Sequence, residues 1–320
     1  MKWRKLGRIF DPEAHGLLEK FVGYAQGPQA LVFNDFVRVY FSTRTLDKQG
    51  KFLSHVIFAD FTKDFKTVVN VHLDPVIALG DLGCFDEHGI FPMNVLWDRE
   101  KKAVLAYTTG WTRRVSVSVD ASIGLAISQD LGYTFEKVGS GPVLSTSLHE
   151  PFLVGDAFVK EINGMFHMWY IHGIRWIKES PTANPDRVYK IAHATSQDGI
   201  EWTKEERQIV ADIGDENECQ ALPTVIQIDG LYHMFFCFRN VFGFREGSVG
   251  TYRIGHAVSK DLVDWTREDD SMGIEVSSTG WDSEMLAYPH VFEMDGKVYL
   301  LYNGNGFGKY GFGIAVLEKY

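Results

Sequence analysis

The segment Glu218-Cys219-Gln220-Ala221-Leu222-Pro223-Thr224-Val225 places a carboxylate shortly before a proline that opens an apolar run. Two other segments repeat this arrangement, with Glu87 before Pro92 and Glu284 before Pro289. Proline is tolerated as the first residue of a β-strand because it has no N–H to donate to a ladder. The recurrence therefore indicates internal repeats that each bring an acid to an equivalent position.

Alignment of these strand openings divides the chain into five repeats. The openings lie 64, 64, 67 and 66 positions apart, at Pro28, Pro92, Asp156, Pro223 and Pro289. A fixed period of this kind is typical of folds built from one repeated supersecondary unit.

The repeats carry the signals of four short strands. Asn163-Gly164, Asp229-Gly230 and Asp295-Gly296 each separate two apolar runs, and such dipeptides favour tight hairpin turns. A third apolar run follows, and in repeats two to four a Ser-x-Asp turn then leads to an aromatic residue, as in the segment Ser259 to Trp265. The short Ser and Asp side chains hold such turns by bonding to nearby backbone N–H groups.

The fifth repeat ends without a fourth strand, and the N-terminus supplies a candidate for it. Trp3-Arg4-Lys5 matches Trp202-Thr203-Lys204 and Trp265-Thr266-Arg267 in pattern. Closing the ring in this way would bury two sheet edges. The sequence thus predicts an all-β, five-bladed β-propeller with four-stranded blades, its last blade closed by the N-terminal strand. No linker-like segment divides the chain, so we expect one domain over residues 1–320.

Composition narrows the class of protein. A net charge of −10 over 320 residues disfavours nucleic acid or an anionic membrane as a partner. No apolar run reaches transmembrane length and the N-terminus lacks a leader pattern, which predicts a cytoplasmic protein. The 3 cysteines have neither zinc-site nor disulfide spacing, so we expect no metal and no cofactor. The oligomeric state is left open.

The propeller geometry predicts where the acids meet. Innermost strands surround the central axis, so residues at their starts converge on one mouth of the channel. We therefore expect Glu87, Asp156, Glu218 and Glu284 to share a pocket, in which mutual repulsion raises at least one carboxyl pKa. A carboxyl with a raised pKa beside an ionised one is what glycosidic cleavage requires.

A second set of residues is expected on the same face as substrate-binding groups. Two histidines adjoin strand starts, and the others lie in loops between the second and third strands. Aromatic rings suit stacking on sugars, and arginine donors suit phosphate or carboxylate. The set comprises His88, Trp111, Arg113, Arg175, Arg239, His290 and Asn303. The predicted partner is a carbohydrate, either neutral or anionic.

Two motifs carry a resemblance to known enzymes. Asn217-Glu218-Cys219 and Gly155-Asp156-Ala157-Phe158 resemble motifs of the five-bladed propeller glycosidases of glycoside hydrolase families 43, 32 and 68. The blade pattern also resembles the β-mannoside phosphorylases of family 130. The resemblance implies that Glu218 is the general acid and that Asp156 orients the substrate and tunes the pKa of that acid.

The chain departs from those families in its first repeat. Tyr24-Ala25-Gln26-Gly27-Pro28 contains no acid where the family places a base or nucleophile. Glu87, Glu284 and Asp11 are candidates for that role, and the histidines His88, His15 and His290 are alternatives to them. In a phosphorylase, phosphate itself attacks. Three functions therefore stay open: a glycosidase, a phosphorylase or enzyme for an acidic or phosphorylated sugar, and a non-catalytic carbohydrate-binding propeller.

Overall fold

The computed structural model describes residues 1–98, 102–245 and 250–319, and its architecture is all-β with 52% strand and 3% helix. The strands are β1 (Lys2–Phe10), β2 (Gln26–Val32), β3 (Phe36–Leu46), β4 (Phe52–Thr62), β5 (Val68–His72), β6 (Gly89–Asp98), β7 (Ala103–Arg113), β8 (Val119–Ser128), β9 (Glu136–Lys137), β10 (Val154–Ile162), β11 (Met165–Ile177), β12 (Asp186–Ser196), β13 (Thr203–Lys204), β14 (Cys219–Ile228), β15 (Leu231–Arg239), β16 (Arg253–Ser259), β17 (Thr266–Arg267), β18 (Ala287–Met294), β19 (Lys297–Asn303) and β20 (Phe312–Lys319). Short 3-10 helices span Leu17–Glu19, Asp269–Ser271 and Asn305–Gly308. Across the described ranges, no helix has the length and apolar character needed to cross a membrane.

The strands assemble into groups of four antiparallel neighbours. Group 1 is β2–β5, group 2 is β6–β9, group 3 is β10–β13, group 4 is β14–β17, and group 5 is β18–β20 with β1. One parallel bridge, between Ser54 and Gly89, joins groups 1 and 2 into a larger sheet. In group 5, β1 pairs antiparallel with β20, with Trp3 opposite Leu317. The N-terminal segment is thus the fourth strand of the last group, as its sequence pattern predicts.

The first strand of each group is innermost. Each of these strands contacts the first strand of the next group, and β18 contacts β2, so they form a closed ring. Side chains link them: the Asn94 amide donates to Gln29 Oε1 (3.0 Å) and accepts from the Val159 N–H (2.9 Å). The ring gives the molecule a propeller-like fold.

Aromatic rings pack the groups against one another. The aromatic residue at or just before the fourth strand of each group contacts a ring on the second strand of the preceding group, with centroids 5.6–6.4 Å apart. The pairs are Phe65–Tyr299, Phe135–Tyr40, Trp202–Tyr107, Trp265–Trp169 and Trp3–Phe235. The aromatic residues of the sequence repeat are therefore the contacts between groups, including the less regular one at Phe65.

Each first strand also contains a β-bulge at the same place. The residues in the bulge are Gly27, Phe91, Asp156, Leu222 and Tyr288. This register corrects the sequence alignment in the third repeat, where Ala157 and not Asp156 corresponds to the prolines. The openings then lie 64, 65, 66 and 66 positions apart. The sequence misaligns Asp156 because no proline marks its repeat.

A buried ion pair recurs in four of the groups. In each, an acid in the loop before the first strand contacts a Lys or Arg on the fourth strand of the same group, at 2.5–2.7 Å. The cation lies two positions after the aromatic residue that packs against the preceding group. The pairs are Asp86–Lys137, Glu150–Lys204, Glu218–Arg267 and Asp282–Lys5. The repeated acids therefore attach the outer strand of each group to the loop near the axis.

Loss of one cation from these pairs tests this structural role. Lys204→Met leaves the fully buried Glu150 without its ion-pair partner, and among the described residues only the Tyr170 hydroxyl continues to bond its carboxylate. We expect the free energy of unfolding in urea to fall by about 3–5 kcal/mol, because an unpaired buried charge is costly. Lys66→Met, at a lysine whose side chain is 82% exposed, is the control and should change it by less than about 0.5 kcal/mol. Equal effects of the two substitutions would contradict the role.

Candidate active site

A cavity of about 450 Å³ opens where the first strands meet, and all five groups contribute to its wall. The wall contains one carboxylate, Asp156, among the described residues. It also contains several arginines, namely Arg44, Arg187, Arg239 and Arg245. Its aromatic side chains are Tyr24, Phe52, Phe91, Trp111, Tyr189, Phe244, Tyr252, Tyr288 and Phe307.

Asp156 reaches the cavity because it occupies the bulge of β10. Its φ of 54° is left-handed, a conformation that Asp tolerates better than most residues. Its backbone N–H donates to Thr109 Oγ1 (2.7 Å), and its Oδ2 accepts from the Leu222 N–H (3.4 Å). These contacts connect the carboxylate to groups 2 and 4 and set its position.

Burial raises the pKa of the Asp156 carboxyl to about 7, although the Leu222 N–H and the Arg187 guanidinium oppose this. The sequence predicts a raised pKa among crowded acids, but the physical cause is desolvation and not repulsion. A carboxyl with this pKa is partly protonated at neutral pH. Asp156 can therefore give a proton to a bound group and take one back.

The cavity arginines are held largely without carboxylate partners. Arg44 lies over the rings of Tyr24 (4.1 Å) and Phe52 (4.8 Å). Arg239 lies 3.6 Å from the centre of the Phe244 ring and donates to the Asn240 carbonyl (2.7 Å).

The other two arginines differ in their partners. Arg187 has a long contact to Ser118 Oγ (3.4 Å), and Arg245 makes an ion pair with Asp186 (3.4 Å). Within the described ranges, no carboxylate therefore forms an ion pair with Arg44, Arg187 or Arg239. The cavity carries a surplus of positive charge, which suits an anionic ligand.

One side of the cavity presents hydroxyl groups and rings together. The Tyr189 and Tyr252 hydroxyls bond to each other (2.9 Å), and Tyr252 also accepts from Arg239 Nε (3.3 Å). Burial by itself lowers the pKa of Arg239, but Tyr189 and Tyr252 raise it above its ordinary value. This guanidinium therefore stays charged in the wall, and the adjoining rings offer faces on which a sugar can stack.

The structure does not bring Glu218 into this cavity. Its carboxylate contacts Arg267 (2.5 Å), accepts from Gln220 Nε2 (3.0 Å) and faces the Ile213 N–H (3.4 Å). A general acid must reach the leaving oxygen of the substrate. The predicted role for Glu218 is therefore corrected: its carboxylate is engaged in the repeated ion pair of group 4.

Glu87 and Glu284 also lie outside the cavity wall. Glu87 accepts from the Gly83 N–H (3.0 Å) within its own loop, and Glu284 is exposed in a separate cleft. The prediction that four acids share one pocket is wrong because these residues precede the bulge by four positions, where each loop turns towards its fourth strand. Of the four acids, only Asp156 stands in the bulge itself.

The predicted binding residues divide in a similar way. Trp111 and Arg239 line the cavity, and His88 stacks behind Trp111 with ring centres 6.1 Å apart. Arg113 bonds Asp47 (2.7 Å) and Arg175 pairs with Glu216 (3.0 Å), so both support loops.

His290 and Asn303 lie outside the cavity wall and contact other parts of the protein. His290 is buried between the rings of Phe158 and Phe292, and burial lowers its pKa to about 3. The Asn303 side chain accepts from the Gly27 N–H (2.9 Å) and donates to the Ala25 carbonyl (2.7 Å). Neither residue lines the cavity.

Several wall residues are not among the predicted site residues. Arg187 lies at the start of β12, Arg245 lies in a loop, and Phe307 lies in the short 3-10 helix Asn305–Gly308. Leu222 and Tyr288 could have been found from the sequence, since each directly precedes a proline at one of the repeated strand openings. In the described part of the chain, no cluster of three or more His, Cys, Asp or Glu side chains could hold a metal ion.

Comparison with solved structures identifies the class of fold. The chain superposes on a BT0996 RGII complex with a TM-score of 0.72 at 17% identity, covering 98% of this chain and 91% of the other. It superposes on a glycoside hydrolase with a TM-score of 0.69 at 16% identity, covering 96% of each. A third match, from work on family 130 mannoside phosphorylases and hydrolases of β-1,2 mannosidic linkages, has a TM-score of 0.64 at 15% identity, covering 92% and 84%. The protein therefore shares the propeller-like fold of these solved structures, which also include a thermostable family-43 glycoside hydrolase.

Sequence comparison then shows the nearer family. No protein-family model matches the chain. It is 34% identical over 320 residues, the full length of both chains, to the uncharacterized protein Rv1502 of Mycobacterium tuberculosis, and it belongs to the same family. Over 143 residues, 44% of this chain and 42% of the other, it is 28% identical to a 1,2-beta-oligomannan phosphorylase of Thermoanaerobacter sp..

The environment of Asp156 predicts a pH-dependent stability difference from Asp156→Asn. Because the carboxyl pKa is about 7 in the folded protein and 3.8 is the ordinary value, the folded state holds the proton more tightly than the unfolded one between those values. This stabilisation is complete below pH 4 and is lost as the pH rises through 7. We expect wild type to lose roughly 4 kcal/mol relative to Asp156→Asn between pH 4 and pH 8 in urea unfolding. Parallel pH profiles of the two proteins would contradict the assignment.

Proposed function

We propose that this protein is a glycoside phosphorylase in which Asp156 is the proton donor and inorganic phosphate is the nucleophile. The observation that carries the proposal is the charge of the cavity: one carboxyl of near-neutral pKa faces guanidinium groups that lack carboxylate partners. An inverting hydrolase needs a second carboxylate to activate water. A phosphorylase needs a site for an anion in its place.

The proposed architecture is a single domain over residues 1–320. Its five four-stranded groups are the blades of one propeller, and β1 closes the fifth blade. The cavity then lies on the axis, where blades two to five each contribute one bulge residue. This arrangement lets a single acid in blade three serve a substrate enclosed by all five blades.

In the proposed reaction, Asp156 protonates the glycosidic oxygen as the bond from that oxygen to the anomeric carbon breaks. A phosphate oxygen forms the new bond to the anomeric carbon, which yields a sugar 1-phosphate and a shortened glycan. The Asp156 carboxylate then recovers a proton from solvent. The raised pKa supports this role because the acid is both protonated and able to release its proton near pH 7.

Phosphate is assigned to the arginine-rich side of the cavity. Arg44 and Arg239 lie on aromatic rings, which hold each guanidinium in place and leave N–H donors for a ligand. The 28% identity to the 1,2-beta-oligomannan phosphorylase supports phosphorolysis, and its name suggests β-1,2-linked mannan as the substrate class.

A second candidate is hydrolysis of an acidic or phosphorylated sugar, in which the same arginines bind the negative charge of the substrate. A carbohydrate-binding propeller without catalytic activity is the third. Phosphate consumption distinguishes the three functions, because only a phosphorylase consumes phosphate in proportion to the glycan cleaved.

The first test replaces the proposed acid. Asp156→Asn keeps the left-handed backbone and should lower the rate of sugar 1-phosphate formation from β-1,2-mannan oligosaccharides by about 10²–10⁴-fold. Glu218→Gln is the matched control, because it removes the other acid that the sequence suggests as proton donor. That acid belongs to group 4, whereas Asp156 belongs to group 3. We expect it to retain kcat while lowering stability. Loss of kcat in Glu218→Gln with full activity in Asp156→Asn would reverse the assignment.

The second test addresses the anion. Arg44→Met removes a cavity cation and should raise the KM for phosphate about tenfold or more, whereas Arg4→Met, at an exposed arginine on β1, should leave it unchanged. Glycan cleavage should occur only when phosphate is present. Cleavage at an equal rate without phosphate would exclude phosphorolysis and favour the hydrolytic candidate.

A further inference from the structure

A second cleft, of about 510 Å³, lies beside the central cavity. It is lined by Arg8, Gly280, Trp281, Glu284, Asn305, Gly306, Lys309 and Tyr310. The 3-10 helix Asn305–Gly308 separates the two spaces, since Gly306 faces the cleft and the next residue, Phe307, lines the cavity. The cavity and the cleft therefore lie on either side of this short segment.

The dividing segment is held in an uncommon conformation. Phe307 has a φ of 58°, which is costly for a bulky residue. Its carbonyl accepts a hydrogen bond from Gln26 Nε2, and the Gly308 carbonyl accepts from the Ala25 N–H (2.9 Å). Contacts from group 1 thus keep the partition in place and hold Phe307 in the cavity wall.

The aromatic residues of the cleft are built into the fold. The Trp281 ring stacks on Tyr302 (5.3 Å) and lies against Gly304 and Gly313, where an added Cβ would come within 2.5 Å of the indole ring. These two glycines therefore make room for the tryptophan. Tyr310, in contrast, is 46% exposed and adds a free ring at the edge of the cleft.

Two charged side chains of the cleft remain available to a ligand. Asn305 fixes the loop by accepting from the Glu284 N–H (2.8 Å) and donating to the Gly280 carbonyl (3.0 Å). Among described residues, the Glu284 carboxylate and the Lys309 ammonium form no ion pair or side-chain hydrogen bond, and Lys309 lies 5.5 Å from the centre of the Tyr310 ring. A carboxylate, an ammonium and aromatic faces together match the hydroxyls and C–H faces of a sugar.

We propose that this cleft binds a sugar unit of an oligosaccharide whose cleaved bond lies in the central cavity. The proposal rests on the proposed function and extends it: the substrate is a chain longer than a disaccharide. Glu284 accepts hydroxyl hydrogen bonds from that sugar, and Tyr310 packs on its ring. Glu284, which the sequence suggests as a catalytic acid, thereby has a binding role remote from the reacting bond.

The test compares two substrate lengths in cleft variants and in a control variant. We expect Tyr310→Ala and Glu284→Gln to lower kcat/KM for a β-1,2-linked mannotetraose by about tenfold and to leave that for mannobiose unchanged. Tyr310→Phe, which keeps the ring, should restore the tetraose value, and Leu148→Ala, at an exposed apolar residue away from both spaces, should have no effect. Equal losses on both substrates, or no loss on either, would overturn the cleft proposal and leave the phosphorylase proposal standing.

Calorimetric titration separates the two proposals further. If wild type binds mannotetraose about tenfold tighter than mannobiose and Tyr310→Ala removes that difference, the cleft binds sugar even where no turnover is measured, and only the phosphorylase proposal fails. If wild type binds both with equal affinity, or binds neither, the cleft proposal is wrong.

Discussion

The buried ion pair between a loop acid and a fourth-strand cation is the contact on which the blade-like groups depend. The fourth strands β9, β13 and β17 are only two residues long, so their own ladders hold them weakly. Each is fixed twice, by an aromatic ring inserted against the preceding group and by the cation two residues later. Removing one partner of such a pair leaves a buried charge unpaired, which makes the pairing a strong constraint on the fold.

This constraint gives the recurring loop acids a structural role. Asp86, Glu150, Glu218 and Asp282 attach the loop near the axis to the outer edge of the same group. The fifth group uses β1 for this purpose, so Lys5 ties the N-terminal segment to Asp282 while Trp3 packs on Phe235. Closure of the ring is thus achieved with the same two contacts that hold the fourth strands of groups 2, 3 and 4.

The β-bulge of the first strand determines the chemistry of the cavity. Four of the five bulge residues, Phe91, Asp156, Leu222 and Tyr288, line the cavity, and their side chains differ in kind. Leu222 and Tyr288 give an apolar surrounding, and Asp156 is the single acid among the described residues of the wall. The apolar neighbours remove water from the carboxyl, which is why its pKa rises to about 7. The surplus of arginines then leaves the cavity with a charge that an anion would balance.

The sequence by itself determined the repeat, the hairpins and the pairing of the N-terminal segment, because turn dipeptides and the Trp-x-Lys pattern are local signals. It also identified Asp156, Trp111 and Arg239, which the structure places in the cavity. Only the tertiary structure decided which acid faces the axis. Successive strand residues point to opposite faces of a sheet. Shifting the alignment by one position, from Asp156 to Ala157, therefore changes which side chain is expected to face the axis. The partner of Glu218 is Arg267, 49 positions away on another strand, and no local pattern could reveal that pairing before the strands were brought together.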